Sequence, residues 1–303
     1  MENRRISRKQ VGWGGIRFCI PPDWEPAEIG RRYLLFETQA APVMEIKWGP
    51  VRPPFSFDRH LRRLAGNSPG RKKIVFEKTP LPPAWKKALS GCPATGFQWK
   101  APPASGRGAL IFFPDAHHAF LVQFFTRPSP RTDATAASVL ASVRADFREE
   151  TPLWSLFDIR ARIPGNLKLV RHRFSVGAFE LVFADKKRTL TLCRWSPASV
   201  LTEGEDGLLR FAERQLGISA GTLRHGEVNG YSAVTRTRRT EGWRGKIPVF
   251  SRGRAPFQEI RVWHVADKNR LLGIRAAGKK PFPPGMLDDI CENYRAVDPG
   301  GRR

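Results

Sequence analysis

The sequence predicts an α+β protein made of two tandem copies of an antiparallel sheet packed with helices, each copy running ββ(β)αββββα. Three observations predict it. Short segments alternating apolar and polar residues recur between proline, glycine and aspartate turns. Each half also holds two stretches with apolar residues at helical spacing. Finally, segments of the first half align with segments of the second at near-constant offsets.

The alignment starts at Ile16–Ile20 and Ile159–Ile163, each an alternating strand stopped by a proline (Pro21, Pro164), at an offset of 143. Leu34-Leu35-Phe36 and Leu181-Val182-Phe183 follow at an offset of 147, and Trp48-Gly49-Pro50 matches Trp195-Ser196-Pro197 at the same offset. A helix comes next. Ser56 caps it in copy one, with Phe57, Leu61 and Leu64 on one face and Gly66 at its end; Thr202 and Glu205 form a capping-box pattern in copy two, ahead of Leu209, Ala212, Leu216 and Gly217. Copy one then shows Ile74–Phe76, Ala94–Trp99 and a hairpin of Leu110–Phe113 and Phe120–Phe124 about Pro114-Asp115. Copy two shows Tyr231–Arg236, Ile260–Trp263 and Leu271–Ile274. A basic, proline-rich link leads each copy into a closing helix, with Val139, Leu140, Val143 and Phe147 matching Met286, Leu287, Ile290 and Tyr294. The domains read as 14–150 and 157–297, with a disordered basic tail at 1–13 and a disordered tail at 298–303.

Ile20-Pro21-Pro22-Asp23-Trp24 opening the unit, and the hairpin plus terminal helix from Leu110 to Phe147 closing it, resemble the Mog1/PsbP-like fold. The resemblance covers most of the chain, twice, at the level of topology. Copy two departs from it by carrying Leu167 where the tryptophan sits. It implies a binding or assembly protein, since members include a partner of a small GTPase and an extrinsic photosystem subunit. It carries over no catalytic residue.

Charge sets the class of partner. The 303 residues hold 52 Lys+Arg against 28 Asp+Glu, a net charge of +24. The excess is spread, +11 over residues 1–150 and +13 over 151–303. Such a field attracts acidic proteins, nucleic acid or anionic surfaces. Within copy two the arginines alternate along strands. Arg160 and Arg162 share one strand face, as do Arg236 and Arg238. Arg261, Arg275 and Trp263 are expected with them on one basic side of the sheet, the candidate binding face. Copy one is greasier: Phe120, Val122 and Phe124 alternate with Leu121 and Phe125 along its last strand.

Signals for other chemistry are weak. Cys19, Cys92, Cys193 and Cys291 form no C-x-x-C pair, and His60, His117, His118, His172, His225 and His264 form no H-x-x-x-H or H-x-H spacing, so neither a metal nor a cofactor is expected. There is no P-loop and no G-x-S-x-G elbow. Asp288-Asp289 fits the first turn of a helix, where carboxylates favour the dipole. No signal-like apolar region follows the basic N-terminus and no 18-residue apolar run occurs, so a cytoplasmic location is expected. The leading reading is a non-enzymatic binding or assembly protein acting through a basic surface on an acidic protein partner. One alternative is a nucleic-acid-binding protein using the arginine-rich face of copy two. Another is an enzyme with a site at the domain interface, holding His172, His225 or His264 beside a carboxylate.

Overall fold

Alternating strands joined mostly by short turns pair with their sequence neighbours, and the computed structural model shows the result in each half of the chain. It describes residues 8–39, 41–66, 75–101, 104–217, 222–239 and 255–298. Residues 1–7 and 299–303 of the expected tails, and Ile74, lie outside these. Two compact units are present, one built chiefly of residues up to Glu149 and one of Asp158–Asp298.

The first unit contains β1 (Lys9–Trp13), β2 (Ile16–Ile20), β3 (Glu25–Gly30), β4 (Tyr33–Thr38), β5 (Ala41–Pro50), α1 (Phe57–Gly66), β6 (Val75–Thr79), α2 (Pro83–Ala88), β7 (Ala94–Ala101), β8 (Ala104–Phe113), β9 (His118–Phe124), α3 (Pro130–Ser142) and β10 (Arg144–Ala145). β11 (Leu153–Leu156) follows. The second unit contains β12 (Ile159–Arg162), β13 (Lys168–Ser175), β14 (Ala178–Ala184), β15 (Arg188–Trp195), α4 (Ala198–Leu201), α5 (Gly207–Leu216), β16 (Arg224–Val228), β17 (Tyr231–Arg239), β18 (Phe257–Val265), β19 (Arg270–Gly278), α6 (Met286–Asn293) and β20 (Arg295–Ala296).

The two seven-stranded antiparallel sheets have the same order. It is β3-β4-β5-β9-β8-β7-β6 in the first unit and β13-β14-β15-β19-β18-β17-β16 in the second. A smaller pairing repeats as well. Ile16 and Arg17 of β2 face Ala145 and Arg144 of β10, and Ile159 and Arg160 of β12 face Ala296 and Arg295 of β20.

Several elements differ from the sequence reading. Lys9–Trp13, assigned to the basic tail, forms β1 and pairs with β2 along its length. The turn between them is Gly14-Gly15, with φ of +58° and +86°. Two left-handed residues in a two-residue hairpin turn are what glycine permits at little cost. The closing helices are shorter than expected. α3 stops at Ser142 because Val143 is extended, and the next two residues enter the β10 ladder. α6 stops before Tyr294 in the same way. α2 was not foreseen; its six residues bury Trp85, whose indole donates to the Asp133 carbonyl at 3.2 Å. The expected capping box at Thr202 is absent. Thr202 instead ends α4, its hydroxyl donating to Ala198, and α5 begins after a left-handed Asp206.

A capping box does occur at α3. The Ser129 hydroxyl accepts from the Thr132 N–H, and the Thr132 hydroxyl accepts from the Ser129 N–H. Ser129→Ala removes one acceptor from the first turn and is expected to lower stability by about 1 kcal/mol, read as a shift of the urea midpoint.

Helices of each unit pack on its sheet, and in the second unit α4 and α5 cover only part of one side. In the second unit, α4 and α5 pack on a cluster of Cys193, Trp195, Ala198, Phe211, Val234, Ile260 and Leu271. In the first, α1 packs through Leu61 on Phe97, Trp99, Leu110 and Leu121. The alternation explains the double burial. Phe120, Val122 and Phe124 are at most 2% exposed on one side of β9, while Leu121 joins the α1 cluster on the other.

One anchor of the sequence alignment is out of register. Leu34 faces Ile46 and Leu181 faces Leu192, so the position of Trp48 corresponds to Arg194 and not to Trp195. A slip of one residue sends a side chain to the other face. Trp48 lies on the side where Trp85 meets Phe124, and its indole donates to the Gly14 carbonyl at 3.3 Å. Trp195 lies on the α5 side, edge-to-face with Phe211.

Candidate basic interface

The register separates the residues expected on one basic face. Across the second sheet, Ile260 faces both Arg236 and Arg275, so these two arginines share a side. Arg238 shares it at the next row, opposite Gln258. Arg261 faces Thr235 and Ile274, and Trp263 faces Ala233 and Leu272, so both point to the opposite side. That side is covered by α6. Trp263 is 1% exposed and packs edge-to-face on Tyr294. Arg261 is held by Glu259 and by Asp288 of α6, both at 2.6 Å. Burial works against its charge, but the hydrogen bonds to Asp288 and Glu259 keep its pKa above the usual value. The expectation of a single face was an error of parity. Arg261 and Arg275 stand on different strands, and their relative sides depend on strand register, which no single-strand pattern contains. Arg160 and Arg162 are exposed on one face of β12, as expected, but β12 pairs with β20 and lies outside the seven-stranded sheet. Arg162 donates to the Thr151 carbonyl at 3.0 Å.

The side that carries Arg236, Arg238 and Arg275 holds further cations that the sequence reading missed. Its three rows run Arg173–Glu180–Cys193–Gly273–Val262–Val234–His225, then Arg171–Val182–Thr191–Arg275–Ile260–Arg236, then Lys168–Ala184–Thr189–Ala277–Gln258–Arg238. α4 and α5 cover the end nearest Trp195. Six Lys or Arg therefore stand against one carboxylate, Glu180, which pairs with Arg171 at 2.7 Å. Lys168, Arg171, Arg173 and Arg238 are exposed, and Arg236 and Arg275 half-buried. Arg275 donates to the Gln258 side-chain oxygen at 3.2 Å when that amide is oriented to accept. The edge strand β13 supplies three of the six cations. A bulge at Val170 shifts its register, so Lys168 and Arg171 reach the same side although three positions apart. That bulge hid them from a strict period-two reading.

The first unit provides a comparison for this face. Its two matching rows, Tyr33–Lys47–Leu121–Leu110–Thr95 and Glu28–Leu35–Glu45–Gln123–Gly108–Phe97–Lys78, carry two carboxylates and two ammonium groups. The same strand order thus exists with a neutral face.

No group of three or more His, Cys, Asp and Glu could hold a metal ion among the described residues. Cys193 and Cys291 are buried, and desolvation pushes both thiols up to about 12, so they stay protonated at neutral pH. Asp158 is 4% exposed and accepts from Arg194 and from Arg270, the latter at 2.6 Å. It occupies the place next to Gly14 in the matched β-pairing, and Arg194 occupies that of Trp48. A buried ion pair in one unit therefore stands where an indole–carbonyl bond stands in the other. No described helix is long and apolar enough to cross a membrane.

Comparison with known proteins assigns no family. No protein-family model and no curated protein matches the chain. Solved structures with some likeness include the T6SS immunity protein TplEi of Pseudomonas aeruginosa, at 12% identity, covering 95% of this chain and 97% of that one with a TM-score of 0.36. The Tle4–Tli4 complex matches at 11% identity, 98% and 99% coverage and a TM-score of 0.33. A Bacteroides thetaiotaomicron protein matches at 14% identity and a TM-score of 0.31 over 52% of this chain; the chain spans about half of that protein's length. With TM-scores below 0.5, these likenesses assign neither partner nor activity here. None of the three is described as Mog1/PsbP-like.

Proposed function

We propose that this chain is a non-enzymatic binding or assembly protein, a tandem duplication of a Mog1/PsbP-like unit whose second copy takes an acidic protein partner. The observation that carries this reading is the charge contrast between the two matched faces. Strand order is the same in both units, yet over the two matched rows the first face is neutral while the second holds four cations, Arg171, Arg173, Arg236 and Arg275, against Glu180. The fold therefore does not require the cations. Gathering like charge on one face raises self-repulsion, and an anionic partner relieves it.

A protein partner is favoured over single-stranded nucleic acid by one further observation. The three cationic rows contain no Phe, Tyr or Trp, and Trp263, the aromatic expected to stack on bases, is buried on the other side. Stacking platforms for bases need exposed aromatic rings.

Affinity capture at two salt concentrations tests the reading, with captured proteins identified by mass. Arg173→Glu/Arg238→Glu reverses two exposed cations of the face. Lys86→Glu/Lys87→Glu makes the same change in charge on exposed residues of the first unit. The expected result is an acidic protein captured by the wild type and the Lys86/Lys87 variant and lost from the Arg173/Arg238 variant. Equal loss in both variants, or capture abolished by nuclease, overturns it.

A further inference from the structure

The cationic face has a shape as well as a charge. Between β13 and β19 its surface is made of small or β-branched side chains: Val182 and Ala184 on β14, and Thr189 and Thr191 on β15. Ala184, Thr189 and Thr191 are partly exposed. Long cationic side chains stand on both flanks, Arg171 on the β13 side and Arg275 on the β19 side. Three inter-strand steps separate these flanks, about 14 Å at roughly 4.8 Å per step. The result is a shallow trough with a low floor and positive walls.

We infer that this trough seats an α-helix of the partner, carrying Glu or Asp along both flanks and small or apolar residues on the face between them. The inference rests on the acidic-partner reading above and deepens it. Width is the first argument, since a helix with its side chains is about 10–12 Å across. Backbone chemistry is the second. The N–H and C=O groups of β14, β15 and β19 are committed to their ladders along this stretch, so the floor offers a docked segment little beyond the Thr189 and Thr191 hydroxyls. An extended segment laid on it would bury unpaired peptide groups, which costs free energy, whereas a helix satisfies its own. The third is charge. Arg171 and Arg275 lie far enough apart to meet carboxylates on the two sides of one helix lying along the strands.

The probe is a labelled 21-residue synthetic peptide with an Ala/Leu stripe flanked by Glu, added to the full chain and followed by fluorescence anisotropy. Two companions have the same length, one with two central prolines that break the helix and one with Gln for every Glu. The helical Glu peptide is expected to bind at least about tenfold more tightly than either, which is about 1.4 kcal/mol. Thr191→Trp, which fills the floor without changing charge, is expected to weaken the helical peptide about tenfold and the proline-broken peptide not at all. Thr189→Trp serves as a second filling variant, and both are checked for an unchanged urea midpoint. Equal binding of the helical and broken Glu peptides overturns the helix inference while leaving the acidic-partner reading intact. Equal binding of the Glu and Gln peptides overturns the acidic-partner reading. Unaltered binding to both filled variants overturns the trough as the seat.

Discussion

Replacing Asp158 by alanine is expected to lower the stability of the second unit by about 3–5 kcal/mol. Asp158 is 4% exposed and lies between two guanidinium groups. Arg194 is 6% exposed and reaches Asp158 through both Nε and an Nη, while its guanidinium also lies 4.5 Å from the Phe179 ring. Arg270 is more accessible and can turn to water, so the cost falls chiefly on Arg194, left charged and buried. A charged group left buried without its partner must draw in water or unfold its surroundings. Urea unfolding measures the loss. The double variant Asp158→Ala/Arg194→Met is expected to recover part of it, since it leaves no unpaired buried charge. A loss below about 1 kcal/mol for Asp158→Ala, within the range of exposed ion pairs, would refute the assignment of a buried pair.

Trp263→Ala is expected to cost a similar amount, about 3–5 kcal/mol, by opening a cavity beneath α6. Trp263 is 1% exposed, sits in the row of Ala233 and Leu272, and meets Tyr294 edge-to-face with ring centroids 5.8 Å apart. Tyr294 is itself fixed by its hydroxyl, which donates to the Cys193 carbonyl at 2.8 Å, and burial raises the pKa of its phenol. The variant also discriminates between two roles. If Trp263 served in binding, truncation would weaken capture of a partner and leave the urea midpoint in place. The burial of its ring gives the opposite expectation: a fall in the midpoint, with capture by the remaining folded protein unchanged.

These two positions show how far a sequence reading reaches here. The hairpin of β8 and β9 was legible, because two apolar runs, Leu110–Phe113 and Phe120–Phe124, bracket a Pro-Asp turn. α1 was legible from Ser56, Leu61 and Gly66, and the end of α5 from Gly217, which adopts φ of +61°. The short α2 was not, since six residues give too few repeats to establish a helical period. The ends of α3 and α6 were also misplaced. Val143 and Tyr294 continue the apolar spacing of their helices, but the backbone there turns to make a two-residue ladder with a strand far away in sequence. Nothing local distinguishes an apolar residue that extends a helix from one that packs just beyond its end.

For the candidate site, period-two alternation within one strand was readable, so Arg236 and Arg238 were rightly placed together, as were Arg160 and Arg162. Which strands share a side was not. That depends on register between strands and on the bulge at Val170, both set by long-range pairing. The sequence by itself determined the α+β class, most strands and the basic balance. Tertiary structure alone decided that Arg261 and Trp263 lie beneath α6, that Trp195 is one position out of step with Trp48, and that Lys168, Arg171 and Arg173 join Arg236, Arg238 and Arg275 on one side. The physical reason is parity. A strand fixes its own alternation, but only hydrogen bonding to its neighbours fixes which side of the sheet each alternate residue faces.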